Sequence, residues 1–132
     1  MGQPAAKQGD QINATDVHIV LVPSAAGPIP TPVPHPFTGI LSGGLSTNVR
    51  ITGLPAATLN SVATNTPPHL PMPPGTSFEN PPSNQATIVM GSATVKINGE
   101  PAARNGDAAT TCNDPVDAPV GAVLAVGTVL IG

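Results

Sequence analysis

The 132-residue chain has no tryptophan, no tyrosine and only two phenylalanines. Charged residues make up 8% of it, about a third of the ~25% usual in soluble domains. Four Lys plus Arg cannot follow a phosphate backbone and two Phe cannot form a base-stacking platform, which argues against nucleic-acid binding. One cysteine, Cys112, excludes an intrachain disulfide framework. No apolar run approaches the ~18 residues of a membrane-spanning helix. The first residues, MGQPAAKQGDQ, lack the apolar stretch of an export signal, so none is expected.

What the chain does have is 18 Pro and 14 Gly, almost a quarter of its length. Such a composition suits disorder, but disordered chains are usually charged and poor in Val and Ile. This one is charge-poor, with a mean hydropathy of +0.15. Proline recurs too often between residues 23 and 82 for helix. A small, turn-rich, all-β structure is expected, with one domain spanning 1–132.

Internal repeats organise it. Residues 49–57 read VRITGLPAA and residues 95–103 read VKINGEPAA. A third Pro-Ala-Ala opens the chain at Pro4-Ala5-Ala6, and the strand that should precede it lies at the other terminus, where Gly127-Thr128-Val129-Leu130-Ile131 parallels Ala93-Thr94-Val95-Lys96-Ile97. Three copies of one β unit are implied, the third divided between the chain's two ends. The first and third copies continue into Gly9-Asp10 and Gly106-Asp107, whereas the second reads Thr58-Leu59-Asn60-Ser61. The two Asp are expected to bond their own turns rather than act as acid and base. Units this small become stable only by meeting around a shared axis. With almost no aromatics the shared interior must be narrow, giving a pseudo-threefold body that tapers toward its loops.

Residues 17–22, 47–52, 86–91, 93–98 and 122–131 are rich in Val, Ile and Thr and read as strands. The segments 86–90 and 93–97, split by Gly91-Ser92, suggest a hairpin, and 122–131, hinged at Gly127, suggests another or one kinked strand. The Pro-rich stretches 23–36 and 66–84 are expected to be extended surface loops outside any sheet, because proline offers no amide donor. Val49, Ile51, Val95, Ile97, Val129 and Ile131 are candidates for the core or the broad base.

The chain's three histidines and one cysteine, His18, His35, His69 and Cys112, amount to one closed tetrahedral zinc set. Imidazole and thiolate suit zinc better than calcium or magnesium. An isolated His in a Pro-rich loop is ordinarily solvated, and an isolated Cys is ordinarily a small buried hydrophobe. Here, however, His18, His69 and Cys112 follow the three Pro-Ala-Ala motifs at similar distances, so a shared axis would bring them together; His35 would enter from an inserted loop. Four protein ligands leave no open position, which points to a structural metal rather than a catalytic one. A tapering apex has little apolar volume, and small folds so placed commonly recruit a metal.

With three Pro-Ala-Ala motifs, Pro101-Ala102-Ala103-Arg104 matching letter for letter, and with three His and one Cys, the chain resembles the PAAR-repeat proteins. That resemblance implies a pointed, pseudo-threefold cone capping the trimeric β-helical spike of a contractile injection system, such as a type VI secretion system or a phage-tail-like particle. It implies one zinc near the tip, with His18, His35, His69 and Cys112 as ligands. It also implies assembly in a bacterial cytoplasm, delivery outside the cell at the tip of the particle, and brief contact with a target membrane. No room is left for a fused toxin, so no enzymatic activity is expected. Two other readings stay open: an adaptor that tethers effector cargo through its Pro-rich loops, and a small zinc-dependent hydrolase. The 23–46 segment would then be a cargo dock or, more simply, the path that places His35.

Overall fold

The computed structural model describes residues 2–132, and within them every regular element is a strand. The first unit comprises β1 (Gln3–Pro4), β2 (Gln11–Val22), β3 (Ile29–Gly43) and β4 (Arg50–Ile51). The second comprises β5 (Leu54–Pro55), β6 (Val62–Asn65), β7 (Ser77–Phe78), β8 (Gln85–Ile88) and β9 (Lys96–Ile97). The third comprises β10 (Glu100–Pro101), β11 (Ala108–Thr111), β12 (Ala118–Leu124) and β13 (Leu130–Ile131).

Within the units β2 pairs with β3, β6 with β8 and β11 with β12; between them β3 pairs with β6, β8 with β11 and β12 with β2. All are antiparallel, and the six strands close into a barrel with no free edge around its girth. Three short hairpins join the units at one end: β4–β5, β9–β10 and β13–β1. The first two turn through Thr52-Gly53 and Asn98-Gly99, where all four residues have positive φ, as a two-residue type I′ turn requires. The third is assembled from the two ends of the chain, Gln3 opposite Ile131 and Pro4 opposite Leu130, as the divided repeat predicts.

The Pro-Ala-Ala motifs form the centre of this end. Ala6 N–H donates to the Ala103 carbonyl (2.9 Å), Ala103 to Ala57 (3.1 Å) and Ala57 to Ala6 (3.0 Å), a closed ring of three hydrogen bonds. A second ring surrounds it: Gln8 to Pro55, Leu59 to Pro101 and Asn105 to Pro4, at 2.8–2.9 Å. The turn that follows each motif is held in the same way. The backbone N–H groups of Lys7 and Arg104 donate to the carboxylates of Asp10 (3.0 Å) and Asp107 (2.7 Å), and Thr58 N–H donates to the Ser61 hydroxyl (2.9 Å). Serine thus does the work of aspartate in the divergent copy. Asn60, at φ 73°, takes the left-handed position that Gly9 and Gly106 fill in the others. Asp10 and Asp107 are turn residues, as expected.

The interior is layered about the same axis. Ala6, Ala57 and Ala103 form one layer; Leu41, Ile88 and Val123 are buried at equivalent places, each backbone bonded to the turn below it. Burying each of these larger side chains is worth about 1.5–3 kcal/mol. The layer above holds Gly39, Ala86 and Gly121. A Cβ on Gly121 would stand 2.8 Å from Thr111 Cγ2 and 3.0 Å from Ile12 Cγ2, and one on Gly39 would stand 2.7 Å from the Phe37 ring. The missing side chains of Gly39 and Gly121 leave that layer to their neighbours, among them the Phe37 ring. A separate cluster of Ile51, Ile97 and Ile131 with Ala5, Ala56 and Ala102 fills the hairpin end, with Val49 and Val95 packed against it. Val129 and Leu130 remain 40% and 60% exposed. Beyond the barrel only the β2–β3 hairpin continues, with β7 added beside Val20 and Leu21, so the molecule narrows into the expected all-β cone.

Four sequence expectations are corrected. The Pro-rich stretch 66–84 is not wholly outside the sheet, since β7 within it pairs with β2. The Pro-rich stretch 23–36 is largely strand, since β3 begins at Ile29 and pairs with β2 throughout. Its prolines, 30, 32, 34 and 36, occupy alternate positions, and all four are exposed. They share the phase of Thr38, whose N–H points to the β6 side and donates to Asn65 Oδ1 (2.9 Å). β6 ends at Asn65, so the missing donors face an open edge where no partner needs them. Residues 86–97 form no hairpin: β8 lies between β6 and β11, while β9 turns into β10. At the bend, the Ser92 hydroxyl accepts from Val95 N–H (2.9 Å), as Ser46 does from Val49 in the preceding unit. Residues 122–131 likewise separate into β12 and β13, which join different partners.

Replacing Gly121 by alanine should lower the unfolding free energy by about 1–3 kcal/mol through overpacking. Gly43→Ala, whose new Cβ would meet Val62 Cβ at an ordinary 3.6 Å, should stay within about 0.5 kcal/mol of wild type. Urea unfolding of the two variants checks both.

Candidate metal centre

Above the barrel core, the three units send in different loops, and these converge. Along β2 every second side chain faces inward, so Ile12, Asp16, His18 and Val20 are all buried on one side. Along β3 the inward phase carries His35, Phe37 and Leu41. The alternating prolines of β3 therefore keep His35 in register with the core, and the 23–46 segment does provide its path. In the second unit the loop after β6 is closed at its base by Asn65 N–H donating to the Asn84 carbonyl (2.8 Å), and Asn84 Oδ1 accepts from His69 N–H (2.7 Å). In the third unit Cys112 follows β11 directly. The next two residues run along β2: Asn113 Oδ1 accepts from Val17 N–H (2.7 Å) and Asp114 Oδ2 accepts from Ile19 N–H (2.9 Å).

The outcome is one buried cluster drawn from all three units. The rings of His18, His35 and His69 lie 4.9–5.5 Å apart, centroid to centroid, each pair edge to face. Both phenylalanines of the chain flank them: Phe78 lies 5.7 Å from His18 and 5.4 Å from His35, and Phe37 lies 5.9 Å from His69. Cys112 Sγ is 3.6 Å from His18 Nε2. Asp16, which sequence reasoning did not select, is fully buried among them. Its Oδ2 lies 3.0 Å from His69 Nε2 and accepts from Cys112 Sγ at 3.4 Å. Its Oδ1 accepts from Thr111 Oγ1 and from Asn113 Nδ2.

Ligand atoms of Asp16, His18, His69 and Cys112 all fall within 4.8 Å of one another. His35 shares the cluster, but its Nδ1 is 2.8 Å from the Val33 carbonyl and its Nε2 accepts from Met72 N–H at 3.3 Å. The only sequence signal for Asp16 is its position two residues before His18, which on a strand puts both side chains on one face.

The electrostatics suit a cation. Burial, and then the neighbouring His69, lower the pKa of His18 and keep its imidazole neutral and able to ligate. Burial, and then the Asp16 charge, push the Cys112 thiol up to about 11. A bound divalent ion would reverse that and hold the thiolate. His18 Nδ1 is buried without a hydrogen-bond partner; Asp114 Oδ2 is its nearest carboxylate oxygen, at 3.4 Å. A histidine bound through Nε2 points its other N–H at such a group. The residues present therefore fit a zinc ion.

The PAAR-motif family model matches residues 31–118, more than half of the chain. The chain belongs to that family, whose members are spike-tip proteins of contractile injection systems. The matched span includes His35, His69 and Cys112; Asp16 and His18 precede it. No curated protein sequence gives a significant match. Among the described residues no helix is long and apolar enough to cross a membrane.

For metal-free protein the titrations set a stability window. His18 has a folded pKa below its ordinary 6.5, so its contribution is complete above 6.5 and is lost as pH falls toward the folded value. Cys112 has a folded pKa near 11 against an ordinary 9.0, so its contribution is complete below 9.0 and fades as pH rises through 11. Chelator-treated protein should show its highest urea midpoint between about pH 7 and 9 and lose stability on either side.

Proposed function

We propose that this protein caps a trimeric spike with its hairpin end and forms a piercing point with its loop end, where one structural zinc cross-links the three units. The observation that carries this reading is the placement of the cluster. Its donors come from all three units, at the narrow end, opposite a threefold ring of hairpins. His18, His69 and Cys112 supply three of the ligands, and the β2–β3 extension supplies the fourth, which the family resemblance assigns to His35. When bound, zinc joins loops that otherwise share little apolar volume, and its binding free energy becomes folding free energy.

The broad end offers what a flat, threefold partner needs. Three hairpins surround the axis, and Leu54, Val129 and Leu130 are exposed there, alongside the exposed charges of Arg50, Lys96 and Glu100. Apolar surface of this kind suits a permanent contact better than free solvent. A trimeric β-helical spike presents three equivalent strand ends about one axis and so matches the pseudo-threefold ring. Four protein donors would fill a tetrahedral ion's coordination positions and leave none for a substrate, which favours a structural role over hydrolysis. The use of 29–36 as strand β3 removes much of the free Pro-rich loop on which a cargo adaptor would depend.

Protein purified without chelator should contain about one zinc per chain by elemental mass spectrometry. Cys112→Ser should lose most of it and unfold at a lower temperature. A zinc-free wild type that remains stably folded would sink the cross-link.

For the base, Leu130→Asp should abolish co-purification with the spike protein of the same injection system while keeping the wild-type melting temperature and zinc content. Undiminished spike binding by that variant would place the interface elsewhere.

A further inference from the structure

We infer that Asp16 is a metal ligand in this chain, completing a carboxylate, thiolate and two-imidazole set with Cys112, His18 and His69, and that His35 packs against the site without coordinating. The inference rests on the zinc reading above and departs from the ligand set that the family resemblance implies.

The first ground is the burial of the carboxylate. Asp16 is 0% exposed, in a chain with only four Lys plus Arg. Lys7 pairs with Asp10 and Arg104 with Asp107. The guanidinium of Arg50 is exposed and bonded to the Gly53 carbonyl, and Lys96 is exposed on its hairpin. No Lys or Arg reaches Asp16. A buried carboxylate without a cationic partner is among the costliest arrangements a fold can hold, and a divalent ion removes that cost.

The second ground is how its two oxygens divide. Oδ1 takes the Thr111 hydroxyl and the Asn113 amide, the outer hydrogen bonds that fix a ligating carboxylate in place. Oδ2 faces only the His69 nitrogen and the Cys112 sulfur, at 3.0 and 3.4 Å. With the 3.6 Å between Cys112 Sγ and His18 Nε2, these three of the six separations are near the edges of about 3.3–3.7 Å that a tetrahedron built on ordinary zinc–O, zinc–N and zinc–S bonds would have, and all six lie within 4.8 Å.

The third ground is His35 itself. Its Nε2 lone pair already accepts the Met72 N–H at 3.3 Å, and its Nδ1 is committed to Val33.

The test is a cobalt(II) titration with zinc competition on the full-length wild type, Asp16→Asn and His35→Ala, together with zinc-edge X-ray absorption on the wild type. Asp16→Asn should lose roughly a hundredfold or more in affinity and change the cobalt d–d bands, while His35→Ala should lose less than about tenfold and keep them. The X-ray absorption needs no variant to fold, and it should show imidazole scattering from His18 and His69 alone. Three imidazoles, or a larger loss for His35→Ala than for Asp16→Asn, would overturn the assignment. A wild type that takes up neither metal would overturn it along with the zinc cross-link, whereas a wild type with one zinc and three imidazoles would leave the cross-link standing and remove only Asp16.

Discussion

The fold depends on three alanine amides meeting on one axis. Ala6, Ala57 and Ala103 come from opposite ends and the middle of the chain, yet each donates to the next in a closed ring. Three backbones approach that closely only if their side chains are no larger than methyl, which is why the paired alanines of all three motifs are at most 2% exposed. With the ring closed, the preceding residues must form short hairpins and the following ones must enter barrel strands. A ring of this radius also limits every layer above it. Leu41, Ile88 and Val123 fill one level and Gly39, Ala86 and Gly121 the next, where the Phe37 ring packs over Gly39.

Symmetry at one end and its loss at the other then follow from loop length. Near the axis, Asp10, Asp107 and Ser61 perform one task with two chemistries, because a turn needs only an acceptor at that point. Beyond the barrel the first unit extends as a long hairpin, the second crosses as an irregular loop and the third stops short at Cys112. A threefold apex would require three identical loops. Instead, unequal loops supply unequal donors, and a mixed set of oxygen, nitrogen and sulfur atoms collects at the narrow end. That asymmetry is what places donors of different chemistry at one point.

Much of this was legible in the residues. The Pro-Ala-Ala register revealed the three units, the third hairpin formed from both termini and the convergence of His18, His69 and Cys112, because each depends on repeat spacing, which survives in the sequence. The strand β3 was not legible, because proline content speaks against a sheet unless the phase is known. Prolines 30, 32, 34 and 36 are tolerated only because β6 ends at Asn65 and leaves their edge open, a fact of tertiary structure. The false hairpin over 86–97 arose from two genuine strand segments whose partners lie in other units. Asp16 was hidden for a related reason. Nothing in Thr15-Asp16-Val17 distinguishes a surface carboxylate from a buried one until Thr111, Cys112 and His69 are brought against it.

A bound metal would serve this apex better than apolar packing. The barrel's width leaves room above Phe37 for a few side chains, and further hydrophobic residues there would have to be either large enough to strain the layer of Gly39 and Gly121 or small enough to leave loops loosely held. Coordination supplies strong contacts in little volume. It would also tie together segments far apart in sequence: the separations from His18 to His69 and from His69 to Cys112 are long, and the entropy that cross-linking removes from the unfolded chain grows with loop length. A point loaded along its axis would fail first where loops can part, and that is where the donors of all three units meet.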